Sequence, residues 1–135
     1  MSPDELTKMA HSQMPFTELL GLKIDSGEAG EVRATTVWRP EYCTVGAMIH
    51  GGYLMAVADS VGALCAYLNL PAGATTSTVE SKSNFFRPVT AGSIDFIATP
   101  VHVGRTMIVV QTDVHGEEGK LVARTMQTQT VISPG

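Results

Sequence analysis

The sequence predicts an α+β fold in which an antiparallel β-sheet wraps around one long central helix. Three observations point there. Residues 53–69 form one long apolar run rich in Ala, Leu and Met, which are good helix formers. Residues 31–38 alternate, with Val32, Ala34, Thr36 and Trp38 on one face and Glu31 and Arg33 on the other, the period of a half-buried strand. After Gly73 the chain turns to Thr, Val, Ile and Phe, cut at short intervals by Gly and Pro, the pattern of consecutive strands.

The elements follow in order. Residues 3–12 suit a short helix with Ser2 as cap and Asp4 and Glu5 in its first turn. Pro15 interrupts, and residues 16–20 read as a second short turn, so the N-terminal helical segment spans about residues 3–20. A strand-like run starts at Leu22 and is broken near Gly27 and Gly30; residues 31–38 follow as the next strand. Residues 39–49 carry Pro40 and Gly46 without periodicity and read as a loop. The run 53–69 is apolar nearly all round, which fits a buried helix, and Asn69, Pro71 and Gly73 stop it. Residues 75–89, 93–103, 106–115 and 120–132 then read as four consecutive strands joined by hairpin-type connections. A sheet around one apolar helix gives every element a partner for its apolar face.

Composition narrows the function. The 135 residues read as one domain, 1–135, with 44% hydrophobic and 16% charged residues; this is not a disordered composition. The formal net charge is −4 with no basic cluster, which argues against nucleic acid or an anionic membrane as partner. The start carries no apolar stretch of a secretory leader, and no run is apolar and long enough to span a membrane. With two cysteines and no C-x-x-C, a reducing cytoplasm is the expected home. The four histidines lack metal-ligand spacing and no phosphate-binding glycine motif occurs, so no metal and no cofactor is expected.

Two features carry chemistry. From Tyr42 to Val79 the one formally charged side chain is Asp59, in the middle of the apolar helix. Asp is disfavoured there, and a carboxylate among apolar neighbours is costly to desolvate without a strong partner; the bland alternative is a helix that exposes one face. The second feature is His50-Gly51-Gly52 where the loop enters the helix. Free N–H groups at a helix start, with the dipole behind them, suit an oxyanion developing on a carbonyl; the bland alternative is a tight loop with His50 as a side-chain cap. Asp59 lies eight residues after Gly51, about 12 Å along one helix. One chain cannot bring both to the same carbonyl, so if they cooperate, two chains must meet.

The run Ile49 to Ser60 (I-H-G-G-Y-L-M-A-V-A-D-S), with N-F-F-R-P-V (Asn84 to Val89) and V-H-V-G-R-T (Val101 to Thr106), resembles the hot dog-fold acyl-CoA thioesterases, nearest to the phenylacetate-pathway and 4-hydroxybenzoyl-CoA group. The likeness covers about residues 15–132. It implies that Asp59 is the catalytic carboxylate, as nucleophile or as general base for water. It implies that the Gly51 N–H holds the thioester oxygen and that His50 arranges the loop. It implies a Ser or Thr at the start of the next strand that helps hold the water: Thr78, with Ser77 the alternative. Gly52, Arg87, Pro88, Gly104 and Arg105 are then the candidate contacts to substrate and CoA. The resemblance further implies homodimers with active sites shared between protomers, assembled as dimers of dimers. This chain departs from many relatives, which carry Asn or Gln six residues before the His; here Thr44, or Cys43 after a one-residue shift, stands there.

The reaction so implied is hydrolysis of an acyl-CoA to a carboxylic acid and CoA, with CoA as part of the substrate. Its phosphates need local cations, for which Arg87 and Arg105 lead, ahead of Lys82 and Arg124. Tyr53, Leu54, Met55 and Phe85 are candidates for an apolar acyl pocket, with core as the alternative. The rival readings are a hydratase or dehydratase of acyl thioesters on the same fold, a non-catalytic acyl-CoA binding module, and Cys43 as a covalent nucleophile.

Overall fold

A computed structural model describes residues 1–134. Helix α1 (Pro3–Gln13) begins as the sequence predicts. The Ser2 hydroxyl accepts from the Glu5 N–H while the Glu5 carboxylate accepts from the Ser2 N–H, a reciprocal cap. This holds the Glu5 carboxyl below its usual range. A four-residue turn, α2 (Phe16–Leu19), follows, then strands β1 (Lys23–Glu28) and β2 (Glu31–Val37). Strand β1 runs through Gly27, where the sequence reading places a break, and bulges between Ile24 and Ser26 instead. In β2 the side chains of Val32, Ala34 and Thr36 are buried, as the alternation requires. Two short 3₁₀ turns, Pro40–Tyr42 and Val45–Ala47, occupy the loop.

Helix α3 (Gly51–Tyr67) is the central helix, with ten buried residues. It starts two residues earlier than the sequence reading because His50 caps it: Nδ1 accepts the Gly52 N–H at 2.8 Å. It ends two residues earlier because the Asn69 side chain turns back and donates to the Cys65 and Ala29 carbonyls. The remaining strands are β3 (Thr78–Phe85), β4 (Ser93–Val103), β5 (Met107–His115) and β6 (Leu121–Thr130). All six form one antiparallel sheet in the order β1-β2-β4-β5-β6-β3, with α3 packed mainly on the central strands β4 and β5.

The topology corrects one expectation. Strands β3 and β4 are not a hairpin. Strand β3 pairs with β6, from Thr78 opposite Gln129 to Phe85 opposite Ala123, and forms an edge; β4 pairs with β2 and β5. The connection 86–92 crosses the end of the sheet. Extended, seven residues reach about 23 Å, ample for the three strand spacings of about 14 Å between β3 and β4. The crossing is pinned along its length: the Phe86 N–H donates to Val122, and the Val89 and Gly92 carbonyls accept from Ile49 and Trp38.

Candidate active site

Asp59 is half-buried on α3, and its carboxylate is held. Its Oδ1 accepts from the Thr78 hydroxyl at 2.9 Å and from the Gln127 amide at 3.1 Å. The half-buried side chain thus neither lies free in solvent nor sits unpartnered in the core. Of the two hydroxyl candidates, Thr78 makes the contact. Ser77 is tied through its backbone to Thr130. Behind Thr78 lies Gln129, whose amide donates to the Thr78 hydroxyl at 2.6 Å and whose carbonyl accepts from Thr76.

Gln127 and Gln129 are absent from the sequence reading. Each is 1% exposed, with Thr125 on the same face of β6. Only the fold reveals them: the inward face of β6 carries Thr125, Gln127 and Gln129 and puts amides where β4 and β5 carry Phe96, Ala98, Ile108 and Val110.

The other half of the site is the start of α3. The His50 side chain takes the Gly52 N–H, so the cap reading of His50 holds and Gly52 has no N–H to offer. The Gly51 N–H has no acceptor among the described residues, and the ring of Phe85 packs beside it. A Cβ on Gly51 would lie 3.2 Å from the Phe85 ring. A cleft of about 440 Å³ opens here, lined by Thr44, Gly51, Leu54, Phe85, Arg87 and Pro88 among others. Leu54 and Phe85 thus line the cleft. Tyr53 is core: it stacks on Tyr42 and donates its hydroxyl to the Leu20 carbonyl, and burial pushes its phenol up to about 12.

The candidate cations divide. Arg87 is exposed at the cleft, with Nη1 donating to the Leu121 carbonyl. Arg105 is exposed in the β4–β5 turn, at the opposite end of the sheet. Gly104 beside it gives its N–H to Met107, closing that turn. Arg124 is already paired with Asp113 through two hydrogen bonds, at 2.7 and 3.0 Å. Lys82 is exposed on β3. Cys43 donates its thiol to the Arg39 carbonyl, and burial pushes the Cys65 thiol up to about 11, which removes Cys65 as a thiolate at neutral pH. Among the described residues no three potential metal ligands cluster.

A second cavity, of about 350 Å³, lies between α1 and α3. Met9, Met14, Ala63 and Leu64 line it, and Thr76 reaches it from the hydrogen-bond chain. Ala63 is one helical turn beyond Asp59, on the same face.

Within one chain, then, there are two half-sites. Asp59 and Thr78 meet near the first residue of β3, and Gly51 meets Phe85 at its last. They lie two turns apart along α3, as the spacing argument requires.

Comparison with known proteins gives a consistent picture. The family model described as the thioesterase superfamily matches residues 46–123, more than half of the chain and the stretch from the loop before α3 into β6. A relative from Haemophilus influenzae named as an esterase is 36% identical over 86 residues, which are 64% of this chain and 62% of the relative. Among solved structures, a thioesterase from Haemophilus influenzae superposes with a TM-score of 0.90 at 28% identity, covering 98% of this chain and 92% of that one. A mutant of the phenylacetic acid degradation protein of Thermus thermophilus superposes with a TM-score of 0.77 at 30% identity, covering 86% and 97%.

Proposed function

Because the chain belongs to the thioesterase superfamily and has the hot dog fold, we propose that it hydrolyses an acyl-CoA to a carboxylic acid and CoA, in active sites shared by two copies. The observation that carries this reading is the position of the two half-sites at opposite ends of an edge strand. The outer side of β3 is paired with nothing among the described residues, and an unpaired edge is a template for another strand. If two copies of β3 pair antiparallel about a twofold axis, Thr78 of one copy comes opposite Phe85 of the other. Asp59 then faces the partner's Gly51, although the two are two turns apart within one chain. The same twofold carries the partner's Arg105 end of the sheet toward Arg87, gathering two cations for the phosphates of CoA.

In this arrangement the thioester carbonyl oxygen sits on the Gly51 N–H, at the positive end of α3. Asp59 takes a proton from water as the water oxygen bonds to the carbonyl carbon and the π pair moves onto the oxygen facing Gly51. Collapse of the tetrahedral species breaks the C–S bond, and the CoA sulfur leaves with the proton as a thiol. The acyl group runs from Asp59 into the cavity between α1 and α3, whose Met, Ala and Leu walls suit an apolar acid. The free thiols Cys43 and Cys65 fit a reducing, cytoplasmic setting, and the paired dimers assemble further into dimers of dimers.

The test is a panel of acetyl-, hexanoyl-, lauroyl-, benzoyl- and phenylacetyl-CoA followed with a thiol-detecting reagent, beside an enoyl-CoA followed by the loss of its conjugated-thioester absorbance. Thiol release from at least one ester, reduced at least about tenfold to a hundredfold in kcat by Asp59→Asn, supports the proposal. Binding of all five without turnover makes the chain a binding module; hydration of an enoyl-CoA without thiol release makes it a hydratase.

A further inference from the structure

A carboxylate has no proton to give, and that fact fixes the direction of every hydrogen bond behind Asp59. Ionised Asp59 can only accept, so the Thr78 hydroxyl must spend its one proton on Oδ1. The Thr78 oxygen is then left to accept, so Gln129 must present its NH₂ there. That turns the Gln129 carbonyl toward Thr76, whose hydroxyl donates to it. Gln127 likewise must present NH₂ to Oδ1. Five side chains from α3, β6 and the entry to β3 are thus locked into one orientation, with two donors on Oδ1 and the others relayed behind Thr78.

This order is expensive. Two amides are nine-tenths or more buried, and the Gln127 Oε1 is buried with no partner among the described residues, which leaves the desolvation of that oxygen uncompensated. The oxygen lies over the Cα of Gly62 on α3; a Cβ there would fall on it, at 1.8 Å. Gly62 and Gln127 therefore fit only as a pair. A buried amide with an orphaned oxygen breaks a local rule, and such a break marks a candidate functional position.

We infer that Gln127 and Gln129 are positioning residues that clamp Oδ1 of Asp59 and single out Oδ2 as the reacting oxygen. Oδ1 already accepts two hydrogen bonds, whereas Oδ2 accepts none among the described residues. The inference rests on Asp59 being the acid of the proposed site, and its test separates the two claims.

Wild type, Gln127→Met, Gln129→Met, Asp59→Asn and the double variant Asp59→Asn/Gln127→Met are compared on whichever of the five CoA esters the wild type hydrolyses fastest. Gln127→Met keeps the shape and removes the amide. It should lower kcat about ten- to a hundredfold, because a misplaced reacting group costs that much, with KM unchanged and Tm unchanged or higher. Gln129→Met, one bond further back, should lower kcat less. In the Asp59→Asn background Gln127→Met should cost nothing more, since residues acting as one unit are not additive. A Gln127→Met enzyme with wild-type kcat, or a loss that multiplies fully with that of Asp59→Asn, overturns the inference while leaving Asp59 in place; wild-type kcat in Asp59→Asn overturns the acid itself. Should Gln127→Met fail to fold, Gly62→Ala displaces the same amide without altering it, and must lower kcat in the same way.

Discussion

The two edges of the sheet are treated differently. The β1 edge is closed by α1. The Thr7 hydroxyl accepts the Ile24 N–H at 2.9 Å and donates to the Ile24 carbonyl, and the His11 Nε2–H donates to the Leu22 carbonyl. Side chains of a helix there satisfy what a neighbouring strand otherwise would. Among the described residues no strand pairs with the outer side of β3; Val79 is 64% exposed, and Phe85 and Phe86 stand half out of the surface. The closed edge carries neither the carboxylate nor the unpaired amide, whereas the open edge has one of them at each end. An exposed edge is a liability that proteins ordinarily blunt; leaving this one open, with the carboxylate at one end and the unpaired amide at the other, is sensible if a second copy covers it.

The largest expected effect comes from closing the open edge. Val79 sits at the bulge of β3 and has no cross-strand partner on β6, so Val79→Pro disfavours edge pairing without breaking a register pair. Light scattering coupled to size exclusion should then report half the wild-type mass or less, and turnover should vanish with the β3 pairing; a Val79→Pro protein that keeps the wild-type mass places the contact elsewhere. Next is Gly51→Pro. Position 51 is the first of α3, where Pro is favoured, and His50 already has the extended backbone that precedes Pro. The variant deletes the proposed oxyanion donor while keeping the helix, with the Phe85 ring yielding a few tenths of an ångström to the new Cβ, and kcat should fall about 10² to 10³-fold. The smallest effect on chemistry belongs to the closed edge. Thr7→Ala strands the buried Ile24 N–H and should cost about 1–3 kcal/mol of stability, read by denaturant unfolding. Oligomeric state and kcat should not change, and a change in either would mean that the two edges are not separate.

Much of this contrast was legible in the sequence. The central helix followed from a long Ala- and Leu-rich run, and β2 from strict alternation. The Ser2 cap followed from a serine before Pro, Asp and Glu. Asp59 stood out because it is the one charge in a long apolar stretch, and its spacing from Gly51 means that two chains must meet if the two cooperate. The pairing of β3 was not legible. Local pattern tells that residues 75–89 are extended but not which strand they meet, and a seven-residue connection permits either a hairpin or a crossing. Gln127 and Gln129 were missed because a Thr–Gln alternation reads as solvent-facing polarity until the fold decides which face is inside. Arg124 was counted as a free cation because its partner Asp113 belongs to another strand.

Complementation tests the shared site most directly. Asp59→Asn and Gly51→Pro are each nearly inactive as homodimers under this account. Unfolded together and refolded as a mixture, half of the dimers should be mixed, and each mixed dimer holds one site with both defects and one with neither. The account predicts recovery of about a quarter of wild-type turnover per chain, from random pairing of equivalent protomers. Turnover no higher than the average of the two separate variants, in a mixture verified to contain the mixed dimer, would contradict a site built from two copies.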